Sequence, residues 1–518
     1  MHSFELIILL MTAAILLVAV AQKMEIPYPI ALVVGGAAIG FTPGIHIIEF
    51  DPNLMLIAVL PPILYYGAFW ISYREFKKYL RHIFSLALGL VLATTFVLAV
   101  LFKWLFPMLP WPLAFAFGAI LSPPDAVAAT SILKRFAIGP RLLTVLEGES
   151  LVNDATALVV YRLAISALIV GTFSWSSASL EFIKVTVGGV IIGLATGFFF
   201  NIFANRLLTP VLGVIFSLTV PYMTYFIADW FKLSGVLAVV TNGLVVSRIF
   251  VKHYTSVRRV IGVTIWDIFV ILLNCFVFIL IGLQLAAISQ RMTQAEMFLY
   301  TGYGILITFA MIAVRMIWVY IEHGIACFRV QDSHQQKQIL REATVLGWAG
   351  MRGIISLTAV LALPTVLPGG IVLVGRDIVI FITFIAILLT LLIPGLTLPF
   401  LLEWLKIHHL PDTESLSDKR NQLLKIAEKE IQFLDELDEH QRAFLLNYFK
   451  TRHQLLEISS STEDEQKKLE AARQKILQSQ RHTLLQMWEN KEIDDKLLKL
   501  LELELDLEEA LNMRVEIK

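Results

Sequence analysis

Charge is what the first four hundred residues have least of. Residues 1–402 carry 24 Lys/Arg and 17 Asp/Glu, about a tenth of that stretch, whereas residues 403–518 carry 18 and 25, more than a third. A water-soluble domain of that size needs far more polar surface, so the scarcity excludes a soluble globular fold for the first part. No run of Lys and Arg is present to serve as a nucleic-acid surface, which sets nucleic acid aside as a partner. Only two cysteines occur, Cys275 and Cys327, both in apolar stretches. They exclude a disulfide scaffold and a cysteine metal centre, and read as small packing residues. The N-terminus lacks the basic region of a cleaved leader, because Glu5 precedes the first apolar run. That segment is expected to stay as a helix.

What the chain does have is apolar length: 57% of its 518 residues are hydrophobic. A bilayer core about 30 Å thick needs roughly 20 apolar helical residues. Thirteen segments meet that need, at 3–21, 27–45, 52–70, 82–106, 112–132, 140–170, 181–201, 209–228, 235–250, 264–287, 298–328, 344–366 and 375–402. The expected fold is therefore an all-α polytopic membrane protein. Residues 1–402 form its transmembrane domain and 403–518 a charged helical tail.

Loop cations give the orientation, since cytoplasmic loops are enriched in Lys and Arg. With the N-terminus outside, sixteen cations fall in inner connections: Lys23; Arg74, Lys77, Lys78, Arg81; Lys134, Arg135, Arg141; Arg206; Arg248, Lys252, Arg258, Arg259; Arg329, Lys337, Arg341. Outer connections hold Lys103, Lys184, Lys232, Arg291 and Arg376. This places the tail in the cytoplasm. The tail carries Leu, Ile and Phe at three- and four-residue spacings among Lys and Glu in Asn421–Asp438 and Lys467–Trp488, the pattern of amphipathic hairpins.

Ionisable groups inside a membrane are expensive, so each is a functional candidate. The fifth segment contains Ser122-Pro123-Pro124-Asp125. Two prolines in mid-span break the helix, and unwound backbone at that depth is tolerable only in protein or beside a cavity. Asp125 could cap the next half-helix or bind an ion, and the two roles are compatible. The sixth segment contains Glu149-Ser150-Leu151-Val152-Asn153-Asp154, which sets Ser150 one turn from Asp154 and Glu149 one turn from Asn153. Asp154 lies among apolar neighbours, where an ionised carboxylate must find a cation or take up a proton. Two competing ligands for one group is the chemical requirement for exchange; the plainer reading is a carboxylate paired for packing.

The twelfth segment contains Gly347-Trp348-Ala349-Gly350-Met351-Arg352-Gly353, with three glycines at three-residue spacing that loosen the helix. Arg352 cannot lose its charge, and Glu149 is the expected partner in a structural ion pair. Arg315, mid-span in the eleventh segment, competes for that role. Asp267, Asn274 and Gln284 in the tenth segment read as polar interhelical packing. The interrupted fifth and twelfth segments hold corresponding places when thirteen helices divide as six, one and six. Paired broken helices in inverted repeats mark a transporter whose site lies near the midplane.

Three motifs carry a resemblance over roughly residues 5–402: Ser122-Pro123-Pro124-Asp125-Ala126-Val127-Ala128, Gly148-Glu149-Ser150-Leu151-Val152-Asn153-Asp154-Ala155 and Gly350-Met351-Arg352-Gly353. In them the chain resembles the cation:proton antiporter-1 family of sodium/proton exchangers, in its bacterial form. The resemblance implies a plasma-membrane homodimer of thirteen-helix protomers, each with two inverted six-helix repeats, two broken, crossing helices, a scaffold and a mobile core. It implies that Asp154 binds the transported sodium ion or the proton. Ser150, Asp125 and the carbonyl of Pro124 are then further ligands, and Asn153 stands where electrogenic relatives carry a second aspartate. The family's glutamate–arginine pair falls on Glu149 and Arg352. One departure is Pro124-Asp125-Ala126 in place of the usual Thr-Asp-Pro, which removes a threonine hydroxyl from the site.

The implied activity is electroneutral sodium/proton antiport by alternating access, serving pH homeostasis, with no enzyme chemistry, no cofactor and only ions and membrane lipid as partners. Potassium or lithium could replace sodium, and a potassium/proton antiporter is the nearest alternative. A cation channel would need a repeated filter sequence, which is missing. An intramembrane aspartyl protease would use Asp125 and Asp154 as a dyad, against which the Pro124-Asp125 context and the thirteen segments argue. The eleven histidines offer no clear proton sensor; His82, His253 and His334 read as solvated loop residues.

Overall fold

The computed structural model describes residues 3–406, apart from 43–51, 171–174, 328–331, 368–370 and a few single positions and pairs, together with scattered positions between 426 and 490. The loop cations Lys134, Arg135, Arg291 and Arg329 lie outside the described residues, as do the side chains of Arg74, Lys252, His253 and His334, nearly all of Asn421–Asp438 and most of Lys467–Trp488. The chain divides into two compact units, Met1–His409 and Leu410–Lys518.

The first unit is helical throughout, with α1 Ser3–Lys23, α2 Tyr28–Gly40, α3 Pro52–Trp70, α4 Tyr73–Lys78, α5 Leu80–Phe84, α6 Val91–Leu105, α7 Trp111–Leu121, α8 Ala126–Leu133 and α9 Pro140–Val170. These are followed by α10 Trp175–Leu207, α11 Pro210–Trp230, α12 Gly235–His253, α13 Ser256–Ser289, α14 Gln294–Cys327, α15 Ser333–Trp348, α16 Ile354–Leu361 and α17 Arg376–Leu405. A π-helical turn, Ser85–Leu90, joins α5 to α6. The one extended element described is a two-residue hairpin, β1 Val366–Leu367 against β2 Ile371–Val372.

Each expected apolar segment falls on one of these helices or helix pairs. Among the described residues, eight helices are long and apolar enough to cross a membrane, and four shorter apolar helices accompany them. The largest departure is α15, which begins at Ser333 rather than near 344. Hydropathy marks what lipid would tolerate, whereas Ser333–Glu342 is polar and helical, and no apolar window detects it.

Local chemistry sets the helix ends. Proline occupies the first turn of α2, α7 and α11, where its missing N–H costs nothing. At the start of α14, the Thr293 hydroxyl accepts from the Glu296 N–H at 3.3 Å while the Glu296 carboxylate accepts from the Thr293 N–H at 3.0 Å. This reciprocal box satisfies two donors that a helix otherwise leaves open.

Two apolar cores organise the unit. One gathers α3, α10, α11, α12 and α13 around Leu60, Tyr65, Val220, Val239 and Trp266. The other gathers α6 to α9 and α14 to α17, and reaches α1, α2 and the later half of α13. The α2–α13 crossing is close because glycines meet there: a Cβ built on Gly36 would stand 3.2 Å from Gly282 Cα, and one on Gly282 2.7 Å from Gly36 C. With lipid as solvent, such close backbone packing is a main source of helix association.

Candidate ion-binding site

Two helices that should cross the unit in one piece do not. The path from α7 to α8 is interrupted at Ser122–Asp125, where Pro123 and Pro124 remove two backbone donors, and the path from α15 to α16 is interrupted at Ala349–Gly353. Sequence proximity says nothing about where these breaks lie relative to each other; the fold brings them together. The Asp125 N–H donates to the Met351 carbonyl at 2.7 Å, so backbone opened in one helix is satisfied by backbone opened in the other. Beside this link the Ser356 hydroxyl donates to the Ile120 carbonyl at 2.7 Å, and the Arg352 N–H donates to the Thr390 hydroxyl at 3.2 Å.

Asp125 takes the capping role foreseen for it: its Oδ1 accepts from the Val127 N–H at 2.8 Å. The Ser150 hydroxyl, reaching over from α9, accepts from the Ala126 N–H at 3.4 Å. The open end of α8 is thus held by a carboxylate and a hydroxyl, where the helix dipole favours negative charge.

Gly353 makes the crossing possible by its size. Its φ of −151° is open to any residue. A Cβ there, however, would overlap the Asp125 carboxylate and stand 2.8 Å from the Asp125 Cβ. Gly353→Ala is therefore expected to push the two breaks apart, lower the thermal midpoint and cut transport by at least about tenfold, the equivalent of one lost hydrogen bond of about 1.4 kcal/mol. Melting curves and vesicle flux on the purified variant check this.

A cavity of about 320 Å³ opens at the crossing. Asp154, Ser150, Asp125, Pro124 and Glu147 stand on its wall, together with residues of α3, α8, α9, α13 and α16. Asp154 is 4% exposed, and its carboxylate makes no hydrogen bond or ion pair among the described residues. The charges that act on it are Asp125, Glu149 and Arg352. Asn153 is buried and its Nδ2 donates to the Pro124 carbonyl at 3.3 Å, so it braces the broken backbone.

The expected Glu149–Arg352 pair is not formed. Glu149 is held by Arg315, whose Nη1 and Nη2 donate to its two carboxylate oxygens at 2.5 and 2.8 Å, both residues being at most 2% exposed. The reason lies in α15. Arg315 Nε and Nη2 also donate to the Leu346 carbonyl, at 3.2 and 3.1 Å. That carbonyl belongs to the last turn of α15, whose helix dipole favours a cation. Gly350 leaves room for the guanidinium: a Cβ there would come within 2.7 Å of Arg315 Nε. Arg352, by contrast, is buried with Nε and Nη1 lacking hydrogen-bond partners among the described residues.

Of the other polar groups, His82 departs from its sequence reading, whereas Asp267 and Asn274 make polar contacts between helices as expected. His82 is not a solvated loop residue: its Nδ1 lies 2.6 Å from Glu322 Oε1, and its ring 6.1 Å from that of the buried His323. Asp267 accepts from the Tyr66 hydroxyl, and Asn274 lines the cavity. Nothing in local sequence marks these partners, because they come from helices more than 150 positions away.

The chain is similar to known proteins in sequence and in fold. Residues 8–404 match the family of transmembrane sodium/hydrogen exchangers. An uncharacterised Na(+)/H(+) exchanger of Escherichia coli strain K12, YjcE, is 31% identical over 454 residues, spanning 83% of this chain and 82% of that one. The sodium, potassium, lithium and rubidium/H(+) antiporter of Bacillus pumilus is 31% identical over 73% of this chain and 58% of its own. In three dimensions the fold is similar to the sodium proton antiporter MjNhaP1 of Methanocaldococcus jannaschii, with a TM-score of 0.61 at 18% identity over 78% of this chain and 98% of that one. With the family match covering nearly all of the helical unit and both broken helices in place, the chain belongs to the sodium/hydrogen exchanger family, and is a multi-pass membrane transporter rather than an enzyme.

Proposed function

We propose that this protein exchanges one sodium ion for one proton across the membrane, with Asp154 as the group that carries each in turn. The observation behind this reading is that Asp154 is buried at a cavity wall with no ion-pair partner. A carboxylate so placed is stable when it holds either a proton or a cation. Oxygen ligands suit a hard cation. The Ser150 hydroxyl, the Asp125 carboxylate and the Pro124 carbonyl provide them beside Asp154.

The charge count supports one-for-one exchange. Asp154, the charges that act on it (Asp125, Glu149 and Arg352) and Arg315, the partner of Glu149, sum to one net negative charge when no ion is bound; Glu147, on the same wall, is not among the charges that act on Asp154. One sodium ion or one proton cancels it. Moving the empty site through an apolar barrier would cost several kcal/mol, so the core crosses only when loaded, and the two fluxes are coupled.

The same reading places residues 1–402 as the transport domain and 403–518 as a cytoplasmic tail, the N-terminus outside, and the protein in the plasma membrane as a homodimer serving pH homeostasis. The cation count of the loops and the family resemblance support it. In that orientation the cavity faces inward, because its wall includes Trp70 at the end of α3 and Glu147 near the start of α9. The test is proton flux in proteoliposomes against sodium, potassium and lithium gradients, with and without an imposed voltage. Sodium-driven flux that ignores voltage supports electroneutral exchange. Flux driven by potassium and not by sodium would replace the substrate, and a unitary current would replace the transporter with a channel.

A further inference from the structure

On α9 the cavity wall runs from Glu147 to Asp154. Alternating access requires the same helix to be shut off beyond Asp154 in this state and to part there in the other. The helix lies on the seam between the two apolar cores: Leu142, Val145 and Leu146 pack in one, Leu151 and Ala155 in the other. Apolar contacts are non-directional and let packed helices slide. Eight residues beyond Asp154, about 12 Å further along α9, the seam changes character. There Arg162 Nη2 meets Asp229 Oδ1 at 3.6 Å, and Asp229 lies in the last turn of α11. The Tyr225 hydroxyl, one turn earlier on α11, stands beside the guanidinium. Tyr225 is buried, and its ring packs onto Gly235 at the start of α12, where a Cβ would come within 2.6 Å of it. The anchor on α11 is thus fixed, while Arg162 reaches over from the helix that carries Asp154. Arg162 and Asp229 are each about half exposed, and such an ion pair adds little to folding. A weak polar contact across a sliding seam biases one conformation over another.

We propose that Arg162, Asp229 and Tyr225 form a latch between α9 and α11, closed while the cavity opens at Glu147 and broken each time the site turns to the other side. The inference rests on the exchange activity proposed above. The latch acts on the balance between the two facing states and not on the ion itself.

The full chain in proteoliposomes tests it. On a background of Cys275→Ala and Cys327→Ala, Arg162→Cys with Asp229→Cys is joined by oxidation or by short, reducible bis-methanethiosulfonate bridges. Exchange by the joined protein is expected to fall at least about tenfold and to return on reduction, because the conformational step is blocked. Thr196→Cys with Thr224→Cys is the control, since those hydroxyls lie 3.3 Å apart within the core of α10 to α12. Joining them should leave exchange within about twofold, as for a site remote from the moving seam. Without bridges, Arg162→Gln and Asp229→Asn are each expected to lower the half-saturating sodium concentration on the side away from Glu147 relative to the other side. The ratio should change about fivefold, the equivalent of about 1 kcal/mol for one such pair. Arg162→Asp with Asp229→Arg should restore the wild-type ratio. The inference is overturned if no bridge length joins the pair, if the joined protein keeps wild-type exchange, if the single variants leave the ratio unchanged, or if the swapped pair stays as far from wild type as they do. Absence of sodium-driven flux in the unmodified protein would instead remove the exchange reading itself.

Discussion

Asp154→Asn is expected to fold normally and carry neither ion. Asparagine matches the size of the protonated carboxyl and its lack of charge, so the crossing of the broken helices has no reason to move. Asp154 has no ion-pair partner to leave behind, and removing an unpaired buried charge eliminates a cost. The melting temperature should therefore stay the same or rise. Transport should fall to background. The amide cannot exchange a proton for a cation, and the charges that act on this position, Asp125 and Glu149 against Arg352 and the Arg315 that holds Glu149, already cancel. An extra cation would then give the loaded site one net positive charge, with a penalty of several kcal/mol against crossing, or at least about a hundredfold in rate. Sodium-dependent proton flux and a thermal melt on the same preparation check both halves. Wild-type exchange by this variant would reject Asp154 as the carrier.

Arg315→Met is expected to be among the most damaging single changes in the molecule for a different reason. It leaves the Glu149 carboxylate buried without its two charge-assisted bonds and the last turn of α15 without its cation. Breaking a buried pair by deleting one partner costs about 3–5 kcal/mol, because the orphaned charge stays desolvated. The second change Glu149→Gln removes that charge, so the double variant should recover most of the lost stability. A double-mutant cycle isolates the coupling. It should be large for Glu149 with Arg315 and smaller for Glu149 with Arg352, which lies near but donates no hydrogen bond to it. The reverse order would restore the pairing that the motifs alone suggest.

The route from residues to site was open at some points and closed at others. Pro123 and Pro124 announce the first break because proline cannot donate within a helix. Asp154 announces itself because a carboxylate among Ala155, Ala157 and Leu158 has no cheap resting place. Capping by Asp125 follows from the same break and is seen at 2.8 Å. The partner of Glu149 does not follow, because Arg315 and Arg352 offer identical chemistry in the sequence. Which of them reaches the carboxylate depends on where α14 passes α9 and on a carbonyl at the end of α15 that only the helix break exposes. His82 departs from its reading for a related cause: a polar residue looks the same in a sequence whether its neighbours are solvent, a cavity or an acid on another helix.

The amino-acid sequence by itself determined that the first four hundred residues are membrane-spanning helices, where most of those helices run, the two interruptions and the candidate carboxylate. These are local properties, set by apolar length, by proline and glycine, and by the cost of charge in lipid. The tertiary structure alone decided that the two interruptions satisfy each other's backbone, that Glu149 is held by Arg315, and that Asn153 braces the broken backbone while Asn274 stands on the cavity wall. The first two depend on distances between helices remote in the chain, and Asn153 is set by its bond to the Pro124 carbonyl. In a close-packed interior, a shift of a few ångströms decides whether a polar group meets a partner, an ion or nothing.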